Sequence, residues 1–194
     1  MKIKCRPMTV GDYGVVECQH WGSAQQVRAY AEEQGIASML AFEGEQCVGQ
    51  LYLKEYDPEF REPGGWTGER CWADFQVAEP LDLEGRFLTL GCYHVGEPFR
   101  GRGVGKALLE AVVGWCRGQQ AIDGLVSWGL VSGSWGLIQW AGQMPHTVYG
   151  KRGFREIKKL RDPGLDEHLG HITGTAEGPT VLRVMLLARD AEGA

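Results

Sequence analysis

The chain has 194 residues, a formal net charge of -5 and 43% apolar residues, including 7 tryptophans, so it can bury about 70% of the surface its unfolded form exposes. An acidic balance speaks against a general attraction to nucleic acid, and no apolar run approaches the roughly 18 residues of a membrane span. The opening Met1-Lys2-Ile3-Lys4-Cys5-Arg6-Pro7 lacks the apolar segment of a secretion signal, so the expectation is a cytoplasmic protein with no nucleic-acid and no membrane partner.

From the N-terminus, Lys2 to Arg6 reads as a short strand, and Thr9 with Asp12 can cap a helix over about Asp12 to His20. After a break at Gly22-Ser23, helical spacing returns from Ala24 to Gln34. The period then changes: Ser38 to Glu43, the turn Gly44-Glu45 and Gln46 to Leu53 form a β-hairpin pattern. Between Tyr56 and Glu69 a Pro- and Gly-rich stretch predicts a long loop, followed by a strand over Trp72 to Val77, a turn over Glu79 to Gly85 and a strand over Phe87 to Val95.

The run Arg100-Gly101-Arg102-Gly103-Val104-Gly105-Lys106 follows that strand and opens a helix from about Gly103 to Gln119, with Val104, Leu108, Ala111, Val112 and Trp115 as the expected buried stripe. A strand over Leu125 to Val131 comes next. Gly129 to Gln143 is rich in Gly and Trp, and Pro145 starts a short helix to Lys151 that Gly153 ends. Phe154 to Leu160 and Thr180 to Ala188 close the pattern as two strands. The whole reads as one domain over 1–194 with loop elaborations near 56–70, 129–145 and 161–180.

A glycine turn between a strand and a helix is suited to an anion. The first helical turn leaves backbone N–H groups without partners and carries the positive end of the helix dipole. Glycines let a phosphate approach the backbone, while Arg100, Arg102 and Lys106 add positive charge. A Walker A loop is excluded, because it needs Gly where Arg100 stands and Ser or Thr where Ala107 stands. A dinucleotide fingerprint is excluded by Lys106 at the place of its third Gly. The 6 cysteines contain no C-x-x-C pair and read as small buried thiols, with no metal expected.

Arg100-Gly101-Arg102-Gly103-Val104-Gly105 fits a Q/R-x-x-G-x-G/A signature, and Tyr149-Gly150-Lys151-Arg152-Gly153-Phe154 fits a Y-x-K-x-G-F ending. In this order of elements, the pair resembles the GCN5-related N-acetyltransferase (GNAT) superfamily. The resemblance implies an α/β (α+β) fold whose mixed, mostly antiparallel sheet splays between its fourth and fifth strands, with acetyl-CoA as co-substrate in the split. It implies that the backbone of Tyr93, His94 and Val95 pairs with the pantetheine arm as an added strand, and that Gly101, Arg102, Gly103, Val104, Gly105 and Lys106 hold the pyrophosphate beside Arg100. It also implies transfer of an acetyl group to a small-molecule or protein amine by direct attack, and a possible homodimer.

Such a transfer needs a neutral amine, and an alkylamine of pKa about 10.4 is neutral in only about one molecule in a thousand at pH 7. The leaving thiolate, of pKa about 8.5, needs a proton, which a tyrosine near 10 can supply. Tyr149 stands at the family position for that acid, its alternative role being a core tyrosine. An amide near Val95 is the candidate oxyanion donor. With Thr89 and Gly91 placed on the face of Tyr93 and Val95, and Cys92 and His94 on the other, no base is evident on the strand. Asp74, Glu97 and His146 remain by elimination, beside a water relay.

The chain departs from the family at Gly142-Gln143-Met144-Pro145, where N-x-x-A is usual, so an asparagine contact to the co-substrate is missing. Trp66, Trp72, Trp135 and Trp140 either wall an acceptor pocket or bury the insert on the sheet. The unread base and the missing asparagine keep open an alternative: a fold of this kind that binds acyl-CoA as a sensor without turnover.

Overall fold

Among the described residues, seven strands form one sheet in the order β1-β2-β3-β4-β5-β7-β6, and every neighbouring pair is antiparallel except β4 with β5. The structure is a computed structural model that describes residues 2–15, 23–57, 81–130, 142–161 and 181–189, with the backbone alone at 160, 161, 181 and 182. The strands are β1 (Ile3–Pro7), β2 (Ser38–Glu43), β3 (Gln46–Glu55), β4 (Phe87–Val95), β5 (Gly124–Leu130), β6 (Arg155–Arg161) and β7 (Val181–Ala188). The helices are α1 (Ala24–Gln34), α2 (Val104–Arg117) and α3 (His146–Gly150). Of the expected elements, the strand over 72–77, the loop over 58–69, the polar segment over 162–180 and the tryptophans at 66, 72, 135 and 140 lie outside the described residues.

The start of the chain differs from expectation. Residues Val10–Asp12 form a single 3-10 turn, and the rest of the expected first helix, from 16 onward, lies outside the described residues. Asp12 accepts from the Thr9 amide and hydroxyl, both at 2.7 Å, and from both terminal nitrogens of Arg6. Helix α1 begins where Ser23 accepts from the Gln26 amide and stops at Gly35, whose φ of 82° a β-carbon would strain.

One face of the sheet packs on α2, burying Met39, Leu51, Leu88, Leu90, Leu108, Leu109 and Val112 in a single cluster. The opposite face gathers Met8, Val27, Ala37, Leu40 and Tyr52 around α1. The buried stripe of α2 is Val104, Gly105, Leu108, Leu109, Val112, Val113 and Cys116. The expected Ala111 and Trp115 are only half-buried at its edge. The helix is apolar on most of its circumference, so spacing alone does not choose the face; contact with β1 to β5 does. Gly49 on β3 permits this seating, since a β-carbon there would lie 2.8 Å from Val104 Cγ1.

Strand β4 carries a β-bulge. Leu51 faces Tyr93 but Leu53 faces Leu90, so Gly91 and Cys92 together oppose Tyr52. The extra residue reverses the face count. Leu88 and Leu90 share the α2 face with Tyr93 and Val95, which puts Thr89 on the opposite face from Tyr93. The expectation that Thr89 shares a face with Tyr93 is corrected by this bulge.

Candidate active site

Beyond the bulge the sheet opens. Parallel pairing of β4 with β5 runs from Phe87 and Gly124 only as far as Leu90 and Ser127, leaving Gly91 to Val95 without a β5 partner. Gly96 donates to the Val48 carbonyl, so Gly49 and Val95 form a non-hydrogen-bonded pair, and the Val95 amide and carbonyl point away from β3 into the split. Tyr93 has the same orientation by alternation. His94 does not: its main chain pairs with Gln50 of β3, although the residue lines the cavity.

The glycine loop lies at the mouth of the split. After a 3-10 turn over Glu97–Phe99, Gly101 and Gly103 take φ of 73° and 87°, a left-handed region that favours glycine, and both are exposed. A β-carbon at either position would meet none of the described residues within 4 Å, so they leave the space in front of the loop open. Gly103 caps α2, and the amides of Val104, Gly105 and Lys106 form its first turn, without intrahelical partners. Arg100 Nε donates to the Val95 carbonyl at 3.1 Å. Arg102 reaches Glu43 at 3.4 Å and lies 5.3 Å from the centre of the Phe99 ring. Lys106 is exposed and has no ion pair among the described residues.

A cavity of about 360 Å³ joins these parts, lined by the loop, Tyr93, His94, Val95, Phe99 and the segment Gly142-Gln143-Met144. That segment crosses the split. The Gly142 carbonyl accepts from the Tyr93 amide at 2.7 Å, and the Met144 carbonyl accepts from the Leu130 amide at 3.2 Å, so it is bonded to β4 on one side and β5 on the other. Gln143, 1% exposed, donates from Nε2 to the Gly91 carbonyl at 2.6 Å and accepts at Oε1 from the Tyr149 hydroxyl at 3.2 Å. Sequence spacing does not reveal Gln143, which meets Gly91 across 52 positions of chain.

Tyr149 is fully buried, its ring 5.3 Å from that of Phe154, and it does not line the cavity; Gln143 stands between. Burial pushes its hydroxyl up to about 12. The Ser127 and Tyr93 hydroxyls come near enough to favour its ionised form, yet neither makes a hydrogen bond of regular geometry. Burial likewise raises Tyr93 well above the usual tyrosine range, so neither phenol ionises near neutrality. Of the three base candidates, Asp74 lies outside the described residues, Glu97 is exposed on the 3-10 turn, and His146 Nδ1 contacts the Leu130 carbonyl at 3.1 Å. Neither Glu97 nor His146 lines the cavity. Cys5, Cys47 and Cys116 are free thiols, and burial pushes Cys116 up to about 11. Among the described residues no group of three His, Cys, Asp or Glu is arranged for a metal.

A model of the acetyltransferase (GNAT) family matches residues 10–132, a span that includes β4, the glycine loop and α2. The chain belongs to that family. The match ends before Gln143 and Tyr149, so membership rests on the loop half of the site. Among solved structures, the GNAT chain resembles an acetyltransferase of the GNAT family from Streptococcus pneumoniae at 11% identity and a TM-score of 0.54, covering 96% of this chain and 99% of that one. It resembles the ribosomal-protein-S18-alanine N-acetyltransferase from Escherichia coli at 14% identity and 0.52, covering 99% and 97%. Arabidopsis thaliana NAA60 in complex with acetyl-CoA gives 15% and 0.50, covering 96% and 99%. At these identities the likeness shows the fold alone. No curated protein matches the chain in sequence. Acetyl-CoA is the co-substrate of the GNAT family, in agreement with the resemblance drawn from the two motifs.

Proposed function

We propose that this GNAT protein transfers an acetyl group from acetyl-CoA to an amine by direct attack. The observation that carries this reading is a single cavity in which the unpartnered amides at the start of α2 and the outward amide of Val95 face the same space. When bound, acetyl-CoA supplies an activated thioester and a diphosphate. The residues fit that group: Gly101 and Gly103 leave room at the loop, and the amides of Gly103 to Lys106 offer donors for the diphosphate, with Arg102 and Lys106 beside them. Arg100 holds the Val95 carbonyl, while the pairing of His94 and Gly96 with β3 directs the Val95 amide into the split.

In this reading Tyr149, kept protonated near neutral pH by burial, gives its proton to the departing sulfur and regains one from solvent, which takes up the proton the acceptor amine loses. The acceptor amine loses its proton to water or to a residue of the site, whose described lining holds the His94 imidazole but no carboxylate side chain. A net charge of -5 favours cationic acceptors. Peptide N-termini belong in the acceptor panel because the fold is shared with an S18-alanine N-acetyltransferase and with the NatC complex bound to a peptide.

A second reading, an acyl-CoA sensor without turnover, is favoured by one observation: the Tyr93 amide and the Tyr149 hydroxyl are already bonded, to Gly142 and Gln143. A thiol-release assay with acetyl-CoA across small amines, polyamines and peptides separates the two. Transfer predicts thiol release that depends on one acceptor class. Binding of acetyl-CoA with no release for any acceptor supports the sensor.

A further inference from the structure

We infer that Gln143 is a positioning residue whose carboxamide bars the inner end of the split, so that the thioester end of the acyl carrier reaches Tyr149 only by taking the place of Gln143 there. The inference rests on the acetyl-CoA reading above and concerns how this chain admits that molecule.

The geometry defines the bar. A carboxamide has a donor end and an acceptor end, and here each has a partner that fixes its direction. The Gly91 carbonyl can only accept, so Nε2 faces β4 at 2.6 Å; the second hydrogen reaches the Leu90 carbonyl at 3.5 Å. Oε1 then faces the Tyr149 hydroxyl, which donates its one proton at 3.2 Å. The side chain therefore joins the main chain of β4 to a side chain of α3 across the gap. Its neighbour Gly142 closes the Tyr93 amide in the same way.

The bar divides the cavity by function. At the loop end, the amides of Gly103 to Lys106 and the space before Gly101 and Gly103 are open. At the inner end Gln143 lines the cavity, whereas the Tyr149 hydroxyl behind it is fully buried and committed. A ligand holding only the nucleotide and diphosphate has no reason to disturb Gln143. A ligand that also carries the thioester arm does, because the Tyr149 proton points at Oε1.

The two ligand classes therefore respond differently to Gln143. Removing the carboxamide abolishes an internal competitor for Tyr149 and Gly91, which strengthens binding of the full carrier and leaves the nucleotide part alone. Two competing bonds of ordinary strength correspond to about a tenfold change in affinity.

The test is calorimetric titration of the full chain, wild type and Gln143→Ala, with acetyl-CoA and with adenosine 3′-phosphate 5′-diphosphate. The expected result is about tenfold tighter binding of acetyl-CoA by the variant and less than a twofold change for the nucleotide. Gln143→Met keeps the volume and removes both bonds, and replaces the alanine variant should that one fail to fold. Hydrogen exchange on the wild type is an independent readout: acetyl-CoA should alter exchange between 142 and 149, and the nucleotide should not. A purely structural role for Gln143 would shift both ligands together. That result, or unchanged or weaker acetyl-CoA binding by a folded variant with the same exchange pattern for both ligands, overturns the inference. Failure of the wild type to bind either ligand overturns the acetyl-CoA reading and this inference with it.

Discussion

The Gly142 carbonyl lies 2.7 Å from the Tyr93 amide nitrogen and accepts its hydrogen bond, so the segment before α3 is tied to the strand across the split. Gly142 has a φ of 57°, and a β-carbon there would fall 2.6 Å from Cys92 Sγ. Both facts make glycine the residue that lets the tie form.

Gly142→Ala should therefore destabilise the protein by more than the roughly 1 to 2 kcal/mol of a left-handed alanine, because the Cys92 contact adds to the backbone strain. Urea denaturation checks this through a lower midpoint at unchanged slope. A midpoint equal to wild type would show that the tie does not hold in solution.

Lys106→Ala should weaken acetyl-CoA binding about fivefold, the scale of one charge near a helix N-terminus, with the melting temperature unchanged because Lys106 is exposed and unpaired among the described residues. Titrations at low and high salt check it. The wild-type advantage should shrink as salt rises, since the charge is screened.

Much of this layout is legible in the sequence, and the failures have physical causes. Phe87–Val95 and Ala24–Gln34 have the bounds their patterns predict, because alternation or helical spacing is punctuated by Gly, Pro or Ser. The loop is equally legible, since its chemistry is local: glycines at the φ values they permit, followed by a helix start. The bulge at Gly91 and Cys92 is not, as one inserted residue leaves no mark in an apolar strand, yet it moves Thr89 to the other face. Gln143 is hidden for a different reason. Its partners, Gly91 and Tyr149, come from different elements, and only the folded sheet brings them together.

Tyr149→Phe should lower turnover about a hundredfold while acetyl-CoA affinity changes little, the signature of a proton donor rather than a binding group. Because burial raises the Tyr149 hydroxyl to about 12, against about 10 in the unfolded chain, its contribution to stability is intact below pH 10 and is lost as pH rises toward 12. The phenylalanine variant should show a shallower loss of stability over that alkaline range. Denaturation at pH 9 and pH 11 measures it.

Asp12 titrates at the opposite end. The Arg6 guanidinium beside it, helped by the Thr9 hydroxyl and amide, holds its carboxyl well below the usual carboxylate range. A depressed carboxylate stabilises the fold above its unfolded pKa of about 3.9 and loses that contribution as pH falls. Asp12→Asn should cost about 2 kcal/mol at pH 7, the scale of hydrogen bonds to a charged group, and the gap from wild type should narrow by pH 3. Denaturation at the two pH values checks both parts.

In the proposed transfer the amides of Val95 and of Gly103 to Lys106 receive the acyl carrier. Amide nitrogen–proton NMR spectra recorded during an acetyl-CoA titration test it most directly. The expected result is saturable shifts at Gly103, Val104, Gly105 and Lys106, accompanied by Val95. Saturable binding whose shifts leave those five amides unmoved would contradict it.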